Sequence, residues 1–301
     1  MKTIRKILAA TDLSDESQVA VERAAEIATR TGAELIVLHV GWMPERVETL
    51  PDRTYAAELV EYARAEVERD QDKLELLRDG LLAKHRLSPE IITREGFADE
   101  TIREVADHLD VDLIVVGTRG RTGFRRFFLG SVAERVVRLS RRDVLVARPP
   151  RDSARDFERV LAAVDLSNHT AAAIEAAIAL AGPRGRVELF HAVAVAGAWM
   201  AQDAWKNSAV RTRMLERARD QGTRLAARYA DRAVTVSFDC ADGPPAVAIT
   251  ERLDSGDYDL CVVGSHGRRG LDRFFIGSVA NHVVRYAPCS VAVARMDRAA
   301  A

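Results

Sequence analysis

Cysteine is scarce in this chain of 301 residues. The three thiols, Cys240, Cys261 and Cys289, all fall in the second half, and none stands in a CxxC spacing. An odd, unpatterned set excludes a disulfide framework and gives no metal-binding cluster, and it points to a reducing cytoplasm. Long apolar runs are missing as well. No uninterrupted stretch approaches the ~20 residues that span a bilayer. The opening segment MKTIRKILAATDLS has only a short apolar run before Asp12, which reads as a strand rather than a signal peptide. Charge of one sign is not in excess either: 44 Lys and Arg against 45 Asp and Glu leave a net charge of −1. Nothing electrostatic therefore draws the chain to nucleic acid or to an anionic membrane. Several catalytic signatures are absent too. There is no G-x4-G-K-[ST], no G-x-G-x-x-G, no HExxH, no nucleophile elbow and no kinase set. No general base stands evident beside an attacking water, so binding is a stronger reading than turnover.

What the chain does contain is a phrase written twice. Residues 113–148 and 260–295, laid over each other at an offset of 147, agree at 21 of 36 positions. The chain is a duplication, and each half is expected to adopt one fold. The halves are taken as residues 1–150 and 151–301, joined at Pro149-Pro150-Arg151-Asp152-Ser153. At 301 residues the chain has room for two domains of ordinary size, and 48% apolar with 30% charged residues suits a globular protein.

Each half alternates short apolar runs with helical periodicity. The first predicts strands at Ile4–Ala10, Leu35–Val40, Glu90–Arg94, Asp112–Gly117 and Val144–Arg148, with helices over 15–31, 54–86 and 98–109 and from Ser131. Gly32 stands where a helix-ending glycine belongs. The second predicts strands at Val160–Val164, Val187–Ala192, Val234–Phe238, Leu260–Gly264 and Val291–Arg295, with helices over roughly 168–181, 207–230, 244–255 and 278–287. This order predicts two tandem, doubly wound α/β domains, each with a five-stranded parallel sheet of Rossmann-like type.

In such sheets ligands bind beyond the carboxyl ends of the strands. Three segments of each half converge there: Ala10-Thr11-Asp12 with Ala163-Val164-Asp165, Leu38-His39-Val40 with Phe190-His191-Ala192, and the glycine loop after the fourth strand. Gly117 and Gly120, with Gly264 and Gly267, let a backbone bend and a ligand approach. Gly130-Ser131 and Gly277-Ser278 open a helix whose free N–H groups suit phosphate. Arg121, Arg125, Arg126, Arg268, Arg269 and Arg273 add charge or are simply solvated. A structural account stands beside each of these. Ser131 with Glu134 fits a capping box, and Asp12 and Asp165 fit caps or turns as well as acceptors for a ribose hydroxyl or a purine amino group. His39 and His191 read as packed and hydrogen-bonded rather than metal ligands. Trp42-Met43 and Trp199-Met200 read as a lid or interface plug.

The recurring pattern G-x2-G-x9-G-[ST], at Gly117, Gly120, Gly130, Ser131 and again at Gly264, Gly267, Gly277, Ser278, follows an apolar strand and precedes a helix both times. It resembles the universal stress protein family in its tandem-domain members, over nearly the whole chain. The resemblance implies a five-stranded parallel fold of the adenine nucleotide α-hydrolase-like kind. It also implies ATP as ligand, with Mg as its companion cation. Asp12 would contact the adenine–ribose end and Val40 would pack near the base. Gly117, Thr118, Arg119 and Gly120 would line the ribose and α-phosphate, while Gly130, Ser131 and Val132 would hold the β- and γ-phosphates. The corresponding second set is Asp165, Ala192, Gly264, Ser265, His266, Gly267, Gly277, Ser278 and Val279. Ala192 for Val40 removes apolar contact, and Val164 for Thr11 removes a hydroxyl. The resemblance further implies a nucleotide-dependent stress regulator, an internal pseudo-dimer through the two last strands, and a possible homodimer of chains.

Overall fold

The structure is a computed structural model. It describes residues 3–41, 53–118, 129–150, 156–167, 170–194, 208–265 and 276–295, with backbone alone for 53–60 and 62–64. Arg119, Gly120, His266 and Gly267, together with the loop arginines, Trp42-Met43, Trp199-Met200 and the linker from Arg151, lie outside the described residues.

The first repeat runs β1 (Lys6–Thr11), α1 (Asp15–Thr31), β2 (Glu34–Gly41), α2 (Arg53–His85), β3 (Glu90–Glu95), α3 (Ala98–His108), β4 (Leu113–Gly117), α4 (Ser131–Leu139) and β5 (Asp143–Ala147). The second runs β6 (Phe157–Ala163), α5 (Thr170–Leu180), β7 (Ala181–Val193), α6 (Ala209–Ala227), β8 (Thr235–Asp242), α7 (Pro245–Ser255), β9 (Leu260–Gly264), α8 (Ser278–Tyr286) and β10 (Ser290–Ala294). This is the mostly parallel α/β arrangement that the alternating periodicity predicts.

Two compact units emerge. One comprises Ile4–Val136 with Ser140–Arg142, and its strands lie in the order β3-β2-β1-β4, all parallel. β1, β2 and β4 are nearly continuous apolar runs because both faces are covered: Ile7, Leu8, Ala9, Ile36, Val37, Leu38, Ile114 and Val115 are all fully buried. α1 lays an alanine-rich face on them, burying Ala20, Ala24, Ala25 and Ala28 with Val21 and Ile27. Gly32 ends α1 at φ 72°, and its N–H bonds the Ala28 carbonyl.

The other unit contains Val137–Leu139 and Asp143 onward, with strand order β5-β10-β9-β6-β7-β8. Its strands are parallel except for β5, which pairs antiparallel with β10 through Val144↔Val293, Leu145↔Ala292 and Val146↔Val291. All residues of both strands are buried. Two arginines frame this ladder in equivalent positions. Arg148 donates to the Val284 carbonyl at 2.8 Å and to the Cys289 carbonyl at 3.2 Å, so it caps the end of α8. Arg295 donates to the Val137 carbonyl near the end of α4, and its backbone N–H bonds Asp143 Oδ1 at 2.8 Å.

β7 starts six residues earlier than its apolar run suggests. Ala181 already pairs with Phe157, and an irregularity precedes the regular register from Arg159↔Arg186. Pro183 and Gly185 fall inside that irregularity, where the four residues 182–185 stand opposite Glu158 alone. In α6 the backbone at Gly222 approaches β8 so closely that a Cβ there would sit 2.1 Å from the Phe238 ring.

Candidate functional site

At the carboxyl edge of each unit, strand register brings the predicted segments together. Thr11 pairs with His39 and Ala9 with Val115. Carried on along the strands, that register sets Asp12 beside Val40 and Thr11 level with Gly117. In the second repeat Ala163 pairs with both Phe190 and Val263, which sets Asp165 beside Ala192 and Val164 level with Gly264. Ala10, Asp12, Val40, Ala163 and Asp165 are partly exposed, whereas Val164 and Ala192 are buried.

Asp12 shapes a turn. Its Oδ1 accepts the Ser14 N–H at 3.1 Å and the Ser14 hydroxyl at 2.5 Å. The N-cap of α1 is Ser14, whose side chain accepts the Ser17 N–H, so Asp12 is a turn residue and not the cap. Asp165 repeats the device: its Oδ1 accepts the Ser167 N–H at 3.0 Å and the Ser167 hydroxyl at 2.6 Å. Between aspartate and serine, Leu13 and Leu166 take φ 63° and 57°. A leucine in the left-handed region is an outlier that surrounding contacts must hold, and such strain gathers at functional sites. The tripeptide Asp-Leu-Ser occurs identically in both halves, and that repetition was the available signal for Ser14 and Ser167.

Each second-strand histidine braces this turn. His39 Nδ1–H donates to the Thr11 carbonyl at 3.0 Å, and His191 Nδ1–H to the Val164 carbonyl at 2.8 Å. His39 Nε2 also faces Asp70 Oδ2 of α2 at 3.2 Å. Both imidazoles are thus hydrogen-bonded, and no group of three His, Cys, Asp or Glu able to hold a metal assembles among the described residues. Burial pushes the Cys240 and Cys261 thiols above their ordinary range, which disfavours the thiolate.

The glycine loop begins at Gly117-Thr118 and returns at Gly130, whose N–H donates to the Thr118 carbonyl at 2.8 Å. Gly277 N–H bonds the Ser265 carbonyl at the same distance. The helices then open on the glycines. Gly130 and Gly277 are the N-caps, at φ −61°, ψ 149° and φ −62°, ψ 154°, and neither helix has a side-chain cap bond. The capping box expected of Ser131 and Glu134 is therefore not formed. Ser131 is the first helical residue, one place too late for its hydroxyl to serve as the cap. The first intrahelical bonds run from Glu134 N–H to the Gly130 carbonyl and from Asn281 N–H to the Gly277 carbonyl, both 2.9 Å. The N–H groups of Ser131, Val132 and Ala133, and of Ser278, Val279 and Ala280, precede them at the positive end of each helix. Ser131, Val132 and Ser278 are exposed.

The glycine at this cap is not demanded by backbone geometry. Its φ and ψ lie where any residue is at ease, and a Cβ on Gly277 would meet nothing closer than the Ser265 carbonyl oxygen at 3.5 Å.

Comparison with known proteins gives a consistent result. The model of the Universal stress protein family matches residues 3–148 and again 156–295. Universal stress protein YxiE of Bacillus subtilis is 35% identical over 147 residues, covering 48% of this chain and 98% of its own length. The crystal structure of a universal stress protein from Archaeoglobus fulgidus covers 96% of this chain and 98% of its own at a TM-score of 0.63 and 23% identity, a likeness of fold. A universal stress protein crystallised in complex with cAMP covers 48% of this chain and 98% of its own, with 26% identity and a TM-score of 0.32.

Proposed function

Because the chain belongs to the universal stress protein family, we propose that each repeat binds an adenine nucleotide, ATP in the first instance, and that occupancy alters conformation or partner choice in a cytoplasmic stress response. The observation that carries this reading is the pair of helix N-termini opening on glycines that bring no side-chain cap. A glycine there leaves the first-turn amides open to a phosphate, with the helix dipole favouring the negative charge. The fold itself would accept a side chain at Gly277.

In this reading Gly130, Ser131 and Val132, with Gly277, Ser278 and Val279, hold the outer phosphates. Asp12 and Asp165 accept hydrogen bonds from the adenine–ribose end, beside Val40 and Ala192. Gly117, Thr118, Arg119 and Gly120, with Gly264, Ser265, His266 and Gly267, line the path between. Mg would accompany the phosphates as their counter-ion. Residues 1–150 and 151–301 act as the two functional halves, and the β5–β10 ladder supports reading them as an internal pseudo-dimer.

The test has two parts. Mass spectrometry of the supernatant from denatured, purified protein should reveal ATP or another adenine nucleotide. Isothermal titration of nucleotide-free protein should then give between one and two ATP per chain. No binding of ATP, ADP or AMP at millimolar concentration would leave the repeats as a ligand-free scaffold.

A further inference from the structure

In the first repeat the turn that presents Asp12 is tied to a helix. The Thr11 carbonyl closes β1, and His39 Nδ1–H donates to it at 3.0 Å. On the far side of the ring, Nε2 faces Asp70 Oδ2 of α2 at 3.2 Å. An acceptor stands at each nitrogen, so both contacts are hydrogen bonds only with a proton at each. His39 and Asp70 are both buried, which raises the cost of breaking either bond.

Asp70 holds a particular place in α2. Among the described side chains of this helix it is the first that is buried, and Leu74 and Leu81 continue the same face at helical spacing. Residue 61 and residues 65–69 before it are exposed or half-buried. From Leu74 onward the helix is held by apolar burial and by the bonds of Lys84 and His85 to Glu22. A buried ion pair at the head of such a face adds little to stability, and an apolar residue would serve packing as well or better. Packing alone therefore does not call for Asp70.

We infer that His39 and Asp70 are positioning residues that couple nucleoside recognition in the first repeat to the seating of α2, so that α2 is the element whose order reports occupancy. The inference rests on reading the first repeat as an adenine-nucleotide site. In that reading Asp12 and Val40 receive the nucleoside, and each is the chain neighbour of one partner in the Thr11–His39 bond. A ligand that fixes Asp12 against Val40 fixes this bond, and the ring carries the constraint to Asp70. Coupling is reciprocal: what occupancy does for the seat of α2, the seat does for affinity.

Hydrogen exchange of the full chain, with and without saturating adenosine or ATP, tests this. In the wild type either ligand should slow exchange in the stretch of α2 around Asp70 about fivefold or more, the lower end of ordinary coupling. Two variants cut the link from opposite sides. In His39→Asn the side-chain amide stands where Nδ1 stood, so a donor to Thr11 remains while nothing reaches Asp70. Asp70→Ala removes the acceptor and leaves the ring. Both should abolish the ligand-dependent slowing in α2 and weaken the first site by a similar factor for adenosine and ATP alike, as calorimetric titration reads it. A purely structural role would lower the melting temperature without erasing the response to ligand. If one variant fails to fold, the other and the wild-type exchange still decide. Exchange in wild-type α2 that is the same with and without bound ligand, or slowing that persists in a folded variant, would overturn the inference and leave nucleotide binding intact. Failure of the wild type to bind either ligand would overturn both.

Discussion

A valine at Gly277 should separate phosphate recognition from recognition of the nucleoside. The N-cap backbone, at φ −62° and ψ 154°, is one that a β-branched residue adopts without strain. The first added atom meets the Ser265 carbonyl at 3.5 Å, an ordinary contact, and the Gly277 N–H to Ser265 bond that closes the loop needs no side chain. The fold should therefore persist. The branched methyls, however, stand where a phosphate would approach the amides of Ser278 and Val279. Losing one charge-assisted hydrogen bond costs about 1.5–3 kcal/mol. At about 1.4 kcal/mol per decade, that is roughly ten- to hundredfold in ATP affinity at the second site. Gly130→Val, at the matching φ −61° and ψ 149°, should do the same at the first site, and the double variant should lose ATP at both. Adenosine, having no phosphate, should bind all three variants nearly as it binds the wild type. The assay is calorimetric titration of both ligands, with circular dichroism to verify the fold. Equal losses for ATP and adenosine would refute the phosphate assignment.

Three further outcomes test the packing. Gly222→Ala drives a Cβ to 2.1 Å from the Phe238 ring, and forced repacking of this kind costs about 1–3 kcal/mol. Differential scanning calorimetry should show a melting temperature several degrees lower, and Phe238→Leu in the same chain should restore part of it. Arg148→Ala leaves the Val284 and Cys289 carbonyls without their guanidinium, a loss of about 1–3 kcal/mol that urea unfolding should register, with faster amide exchange along β5 and β10. Burial opposes ionisation of Glu22, but the hydrogen bonds from Lys84 (2.7 Å) and His85 (2.8 Å) outweigh it and hold the carboxyl below its ordinary value of 4.5. A depressed folded-state pKa contributes stability above 4.5 that is lost as pH falls through the folded value. Glu22→Gln should accordingly flatten the acid limb of the unfolding free energy, and an unchanged limb would exclude this pair as its source.

Much of the fold is legible in the residues because the physics is local. Strands covered on both faces have to be continuous apolar runs, so Leu260–Gly264 can be read from sequence alone. Gly32 announces the end of α1 because a left-handed residue is needed there. Where the sequence misleads, a tertiary partner has overruled the local signal. The apolar run starts the strand at Val187, until pairing of Phe157 with Ala181 extends β7 back to Ala181. Ser131 with Glu134 reads as a capping box until the Thr118 carbonyl fixes Gly130 as the cap. At the candidate site the residue types were visible and their conformations were not. No propensity flags a leucine for positive φ, yet Leu13 and Leu166 both adopt it. Nor does the sequence reveal, without coordinates, that the Thr170 hydroxyl donates to Asp165.

The β5–β10 ladder also imposes a timetable on synthesis. Leu145 must wait for Ala292, so β5 leaves the ribosome 147 residues before the strand it pairs with. At about 5–20 residues per second that delay is roughly 7–30 s, far longer than the microseconds a hairpin needs to close. Throughout it, β5 presents a wholly apolar edge, Asp143 aside, of the kind that templates pairing with other chains. Neighbouring ribosomes on one message would hold several such edges close together, each able to pair with its own twin. Slowing translation between the repeats should therefore lower the yield of correctly paired chains, with the losses appearing as nascent-chain dimers joined through β5.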